Sequence, residues 1–179
     1  MLEPTTTVLL IIDVQGNLAQ AMDQKETLFA NLTTLIRGAH VLELPIILTE
    51  QYPKGLGPTI PEIADLLPGI QPISKVAFSC CGEERFMQAL TALNRSQVLV
   101  AGIEAHVCVY QTAADLLRRG YEVEIVTDAV SSRTASNRDT GLARMKDCGA
   151  RLTSVEMALF ELMKVAGGDQ FKAIQKLVK

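Results

Sequence analysis

The sequence predicts a three-layer α/β/α fold on a mainly parallel, open sheet, and two patterns predict it. Short runs with no polar alternation, Val8-Leu9-Leu10-Ile11-Ile12 and Gln97-Val98-Leu99-Val100-Ala101, read as strands buried on both faces. Between such runs lie amphipathic stretches at helical spacing, and repeated β-α units of this kind force parallel strands with helices on both sides. There is no linker, repeat or low-complexity tract, so the 179 residues (1–179) form a single domain large enough to bury a core.

The elements follow in order. The first apolar run is too short for a membrane span and reads as a central strand reaching Val14, with Asp13 at its carboxyl end. A helix over about Lys25 to Leu44 places Leu28, Leu32, Leu35, Ile36, Ala39 and Leu42 on one stripe. Pro45 to Thr49 is the second strand, and Glu50 to Pro61 a Gly/Pro-rich loop. Ile73 to Phe78 is a short β-prone stretch in which Lys75, between apolar neighbours, must snorkel out or find a partner. A helix over Glu83 to Leu93 precedes the Gln97 strand. The next helix, from about Val107, carries Val109, Tyr110, Ala113, Leu116 and Leu117 on one face. Glu122 to Thr127 is a strand, Asp128 to Ala135 a polar loop, Asn137 to Cys148 a helix and Arg151 to Ser154 a last short strand. In the tail, Asp169 to Lys179, a helix would present Phe171, Ile174, Leu177 and Val178. Docking on its own domain and packing on a second subunit are both open for that stripe, and the second is favoured because the sheet already has its helices.

Composition narrows the function. Lys and Arg number 17 against 20 Asp and Glu, a net charge of −3 that argues against a nucleic-acid surface. The amino terminus lacks a basic n-region and its apolar run stops at Asp13, so neither a signal peptide nor a membrane span is expected and the protein is expected in the cytoplasm. The four cysteines, Cys80, Cys81, Cys108 and Cys148, are then expected as reduced thiols. With only His40 and His106, and no zinc-like cysteine spacing, no metal or cofactor is expected. No Gly-x-Gly-x-x-Gly follows the first strand, which disfavours a dinucleotide enzyme. Asp13 also lacks the paired carboxylates of a magnesium-holding phospho-acceptor.

Cys108 stands where the Gln97 strand hands over to a helix. In a first turn, unpaired N–H groups and the positive end of the dipole favour thiolate over thiol. Asp13 and Lys75 also sit at strand ends, and in an open α/β sheet the carboxyl ends converge on one crevice. As a small buried hydrophobe Cys108 would need neither neighbour, and Asp13 and Lys75 could be a strand cap and its surface partner.

Taken together, Ile12-Asp13-Val14-Gln15, Lys75 in mid-chain and Gly102-Ile103-x-x-x-x-Cys108-Val109 resemble the isochorismatase-like cysteine hydrolase superfamily over about Thr6 to Leu162. Glu50-Gln51-Tyr52-Pro53-Lys54-Gly55-Leu56-Gly57 and Gly102-Ile103-Glu104-Ala105-His106 are similar to its short single-domain branch. The resemblance implies an isochorismatase-like fold and a catalytic triad of Asp13, Lys75 and Cys108. It also implies a non-proline cis peptide at Ile103–Glu104, with the backbone N–H groups of Glu104 and Cys108 as an oxyanion hole. The expected reaction is hydrolysis of a small amide-like C–N bond through a thioester. Gln15, Tyr52, Phe78 and Tyr110 are expected pocket walls, and His106 an expected substrate contact. The chain departs from the metal-dependent nicotinamidases, which carry an Asp-x-His type cluster where Glu50-Gln51-Tyr52 stands here. Two alternatives stay open: a vinyl-ether hydrolase with Asp13 as acid and Cys108 a bystander, and a non-catalytic flavodoxin-like binding module. Self-association is expected from the terminal stripe and from the oligomeric habit of the superfamily.

Overall fold

In the computed structural model, which describes residues 1–179, β1 (Thr7–Ile12) leads through the short helix α1 (Gly16–Gln20) into α2 (Lys25–Val41) and β2 (Ile46–Gln51). Two single-turn helices follow, α3 (Pro53–Leu56) and α4 (Pro61–Ala64), each opened by a proline whose fixed φ suits the first helical position. Next come β3 (Ile73–Lys75), a 3-10 turn (Cys80–Gly82), α5 (Glu84–Ala92), β4 (Gln97–Ile103), a π-helical turn (Ala105–Val109) and α6 (Tyr110–Arg118). The chain closes with β5 (Glu122–Ser131), α7 (Ala135–Asp147), β6 (Arg151–Thr153), α8 (Val155–Met163) and α9 (Gly168–Leu177).

All six strands are parallel, in the order β3-β2-β1-β4-β5-β6. The chain lays down β1, β2 and β3 to one side and then crosses to β4, so the topological switch lies between β1 and β4. A crevice opens at such a point, outside the carboxyl ends of the strands. The uninterrupted apolar run of β1 is explained by its two faces. Leu9 and Ile11 pack with Leu28, Leu32, Leu35, Leu159 and Leu162 on one side. Val8, Leu10 and Ile12 pack with Phe86, Leu90, Val109, Ala113 and Leu116 on the other. Each side chain so buried contributes about 1.5–3 kcal/mol. No helix is long and apolar enough to cross a membrane.

Several boundaries differ from the sequence reading, for physical reasons. Strand β5 runs on to Ser131 through the expected polar loop, and Ser131 and Ser132 are buried there. Helix α8, capped by the Ser154 hydroxyl accepting from Met157 N–H, has no counterpart in that reading, because Val-Glu-Met-Ala-Leu-Phe-Glu-Leu-Met is nearly continuous in apolar residues. The terminal stripe docks on its own domain: Ile174 is fully buried, with Leu177 and Val178 packed beside it against the α2 side of the core. A subunit contact through that stripe is therefore replaced by an internal one.

Candidate active site

Asp13 leaves β1 with φ +54°, a left-handed turn, and its backbone N–H still bonds the Thr49 carbonyl of β2 at 3.1 Å. The carboxylate stays buried, 1% exposed. Lys75, last residue of β3 and 2% exposed, reaches it with Nζ 2.6 Å from Asp13 Oδ2. The ammonium also donates to Gln51 Oε1 at 2.6 Å and to the carbonyls of Phe78 and Ala77 at 3.1 and 3.3 Å. Lys75 has therefore found a partner instead of snorkelling. The other carboxylate oxygen, Oδ1, accepts from the Thr49 hydroxyl at 2.7 Å, and Thr49 Oγ1 lies 3.8 Å from Cys80 Sγ.

On the far side of the switch, Gly102 holds φ +114° where β4 crosses close to β1. A Cβ there would fall 2.2 Å from the Ile12 carbonyl oxygen, so only glycine brings these two strand ends together. The Ile103–Glu104 peptide is cis, and the π-helical turn then carries Cys108. Gly141 of α7 lets that helix pack on the turn, since a Cβ would meet the Ala105 carbonyl at 2.7 Å. The turn starts two residues before the expected helix and leaves Cys108 facing Asp13 across a cleft of about 100 Å³. Leu18, Leu56, Phe78, Ile103 and Val107 supply apolar walls; Gln51 and Glu104 join Asp13 as its polar ones.

The charge state of Cys108 corrects the sequence expectation. Burial first, and then the Asp13 charge and its hydrogen-bond acceptance, push the thiol up to about 12, and the pull of Lys75 offsets only part of this. The resting group is a thiol, not a thiolate. A helix start favours thiolate where water reaches the sulfur; here desolvation wins. Burial is the largest influence on Lys75 and lowers it, but the Asp13 carboxylate together with Cys80 and Cys108 outweighs it and holds the ammonium above the usual lysine range. Cys80, fully buried, is likewise pushed up to about 12 by desolvation.

The remaining expected contacts separate. Phe78 lines the cleft. Gln15 does not: fully buried, it donates through Nε2 to the Gly57 and Gln51 carbonyls at 2.7 and 3.1 Å and accepts from Gln51 N–H at 2.7 Å, clamping the loop after β2. Tyr52 is half-exposed and lines a neighbouring surface groove with Pro53, Lys54 and Val76. The Tyr110 ring stacks under Arg144, 5.4 Å from its centre, and its hydroxyl accepts from Arg144 at 3.0 Å, outside the cleft. His106 is turned to Ser132, Nδ1 to Oγ 2.9 Å, also outside it. Glu104 belongs to the cleft wall, and its carboxylate accepts from Arg133 N–H at 3.0 Å and Nε at 3.1 Å. Glu50, where a nicotinamidase carries its metal cluster, accepts from the Thr59 amide and hydroxyl, both at 2.7 Å. No group of three or more His, Cys, Asp or Glu side chains is placed to hold a metal ion. Thr49 and Gln51, which fix Asp13 and Lys75, are the residues the sequence reading missed; the signal was a polar end to the apolar Ile46-Ile47-Leu48 run.

The Isochorismatase domain model matches residues 7–157. The chain is 41% identical over 180 residues to the secreted isochorismatase effector Isc1 of Phytophthora sojae, covering 98% of this chain and 86% of that protein. Among solved structures it resembles the MAR1 ribonuclease of Caenorhabditis elegans, with TM-score 0.93, 37% identity and coverage of 99% and 91%. It also resembles the YcaC gene product of Escherichia coli, described as an octameric hydrolase of unknown specificity, with TM-score 0.93, 26% identity and coverage of 98% and 88%. The matched domain spans most of the chain and the 41%-identical relative nearly all of it, so this chain belongs to the isochorismatase family.

Proposed function

We propose that the protein is a cysteine-dependent hydrolase that cleaves a small amide-like C–N bond through a thioester, without a cofactor. One observation carries this reading: Cys108 and Asp13 face one small cleft while Lys75 grips the far oxygen of Asp13. Because the thiol is held protonated, attack and deprotonation belong to one step. As sulfur bonds the amide carbon, its proton passes to Asp13, and the oxyanion is met by the backbone N–H groups of Glu104 and Cys108. Collapse breaks the C–N bond, and Asp13 returns the proton to the departing nitrogen. Water then attacks the thioester and gives a proton to Asp13. The C–S bond breaks, sulfur regains the proton and the acid leaves.

A homo-oligomer acting on a small molecule is part of the same proposal. The octameric description of the E. coli relative supports it, as do the exposed apolar side chains of Tyr52, Val76 and Phe78 beside the cleft, 54%, 77% and 54% accessible. Four unpaired cysteines suit a reducing, cytoplasmic setting. A cleft of about 100 Å³ and a net charge of −3 favour neither nucleic acid nor membrane as partner.

The test is a panel of small amides, ureas and imides assayed for ammonia release, with Cys108→Ala as control. Release that disappears in Cys108→Ala supports the thioester route. Ammonia release that survives Cys108→Ala overturns it, leaving the cysteine a bystander to C–N cleavage; cleavage of a vinyl ether by Cys108→Ala, with no ammonia released from any amide, would return the vinyl-ether alternative, in which Asp13 acts alone.

A further inference from the structure

The cleft also bears on which amides can enter. No cation is among its lining residues: the walls are apolar except for Gln51 and two acidic residues, Asp13 and Glu104. Lys75, the nearest cation, has three protons and four acceptors within 3.3 Å, all of them protein atoms, so none is left for a substrate anion. Arg133 approaches from outside, and its Nε already donates to Glu104. A substrate carboxylate would sit in a largely apolar space beside two acids whose own counter-ions, Lys75 and Arg133, are already engaged with them, which costs more than it returns. Size sets a second limit. An apolar cavity of roughly 150 Å³ accepts benzene, and this one is about 100 Å³.

Resting on the hydrolase reading above, we propose that the acyl group this cleft takes is uncharged, aliphatic and smaller than a benzene ring, so that short-chain primary amides are substrates while aromatic amides and amides bearing a carboxylate are excluded. Leu18 and Leu56 are among the apolar walls of the cleft, and both are only partly buried, so shortening either widens the cleft.

Two measurements on the intact protein separate this from the hydrolase reading itself. In the first, Cys108 is alkylated at mildly alkaline pH with iodoacetamide, iodoacetate or N-phenyl iodoacetamide. Peptide mass spectrometry follows it against the exposed Cys148, each reagent being corrected for its rate with glutathione. Iodoacetate and the aromatic reagent should each lag iodoacetamide at Cys108 by about tenfold more than they do at Cys148. Leu18→Ala should restore the aromatic reagent but not iodoacetate. In the second, kcat/KM for propionamide and butyramide should exceed that for succinamic acid and benzamide by about tenfold or more. Labelling by iodoacetate as readily as by iodoacetamide overturns the inference, as does Cys108-dependent hydrolysis that is fastest on benzamide or succinamic acid, and the latter leaves the hydrolase reading standing. Selective labelling with no amide turned over supports the cleft's selectivity and overturns the hydrolase reading instead.

Discussion

Lys75 Nζ lies 2.6 Å from Asp13 Oδ2, with the two side chains 0% and 1% exposed. A pair this deep is held by mutual dependence, because either charge alone would be stranded in a medium that solvates it poorly. Lys75→Met should therefore lower stability by about 3–5 kcal/mol, whereas adding Asp13→Asn to it should recover part of that loss. Urea unfolding of both single variants and the double variant measures the coupling. Additive losses would show that the pair does not act as a unit.

The same two residues push Cys108 in opposite directions, Asp13 raising its pKa and Lys75 lowering it. Asp13→Asn should lower the thiol pKa and quicken alkylation at a fixed mildly alkaline pH. Lys75→Met should slow it. Both should abolish turnover, the first for want of a proton carrier, the second because Asp13 loses its anchor. Reactivity and catalysis thus part in one variant and fall together in the other; identical alkylation profiles for the two variants would contradict the electrostatic account.

The positions of Asp13, Lys75 and Cys108 are legible in sequence because each is a local anomaly: a charge ending an apolar run, a lysine among apolar neighbours, a thiol at a strand-to-helix turn. Their surroundings are not legible, because those are set by contacts across the fold. Gln15 looks like a pocket wall until its amide is found clamping Gln51 and Gly57, 36 and 42 residues away. Tyr110 is drawn off by Arg144, a helix away. The state of the thiol fails for a related reason: a helix start is a local feature, whereas the burial that overrides it is global.

Thr49 is a positioning residue. Its hydroxyl donates to Asp13 Oδ1 at 2.7 Å, and with Lys75 on Oδ2 the two contacts fix the plane of the carboxylate. Thr49→Val keeps the shape and removes the donor. It should cost about 1.5–3 kcal/mol of stability, the usual worth of a hydrogen bond to a charged group, and it should lower kcat with little change in KM. Thr49→Ser should restore both. A serine variant as impaired as the valine one would point to packing and not to the hydroxyl.

Helix α9 should stabilise the domain from within. Ile174 is fully buried and Leu177 and Val178 pack on the same core, so deleting Asp169 to Lys179 uncovers apolar surface on α2. Burial of Ile174 alone is worth about 1.5–3 kcal/mol, and the truncated chain should unfold at a lower urea concentration. Light scattering on samples that remain folded should show the assembly state of the full chain; a clean change of assembly at unchanged stability would return α9 to an interface.

Alkaline pH should destabilise the fold, and the sign follows from four groups. Burial pushes Cys80 and Cys108 up to about 12 in the folded state, it also raises Cys81, and Lys75 is raised above the usual lysine range. In each case the folded state holds its proton more tightly than the unfolded chain. The stability this confers is full below the unfolded pKa and falls as pH rises toward the folded one. From about pH 9 upward each thiol should remove as much as about 1.4 kcal/mol per pH unit, with Lys75 adding to the slope above its own unfolded value. Unfolding midpoints measured in urea from neutral pH to the edge of this window test the slope. Cys80→Ala, which removes a thiol outside the proposed chemistry, should make the decline shallower even though the variant starts from a lower stability. A decline as steep in Cys80→Ala as in the native chain would mean that the buried thiols do not set the alkaline limit.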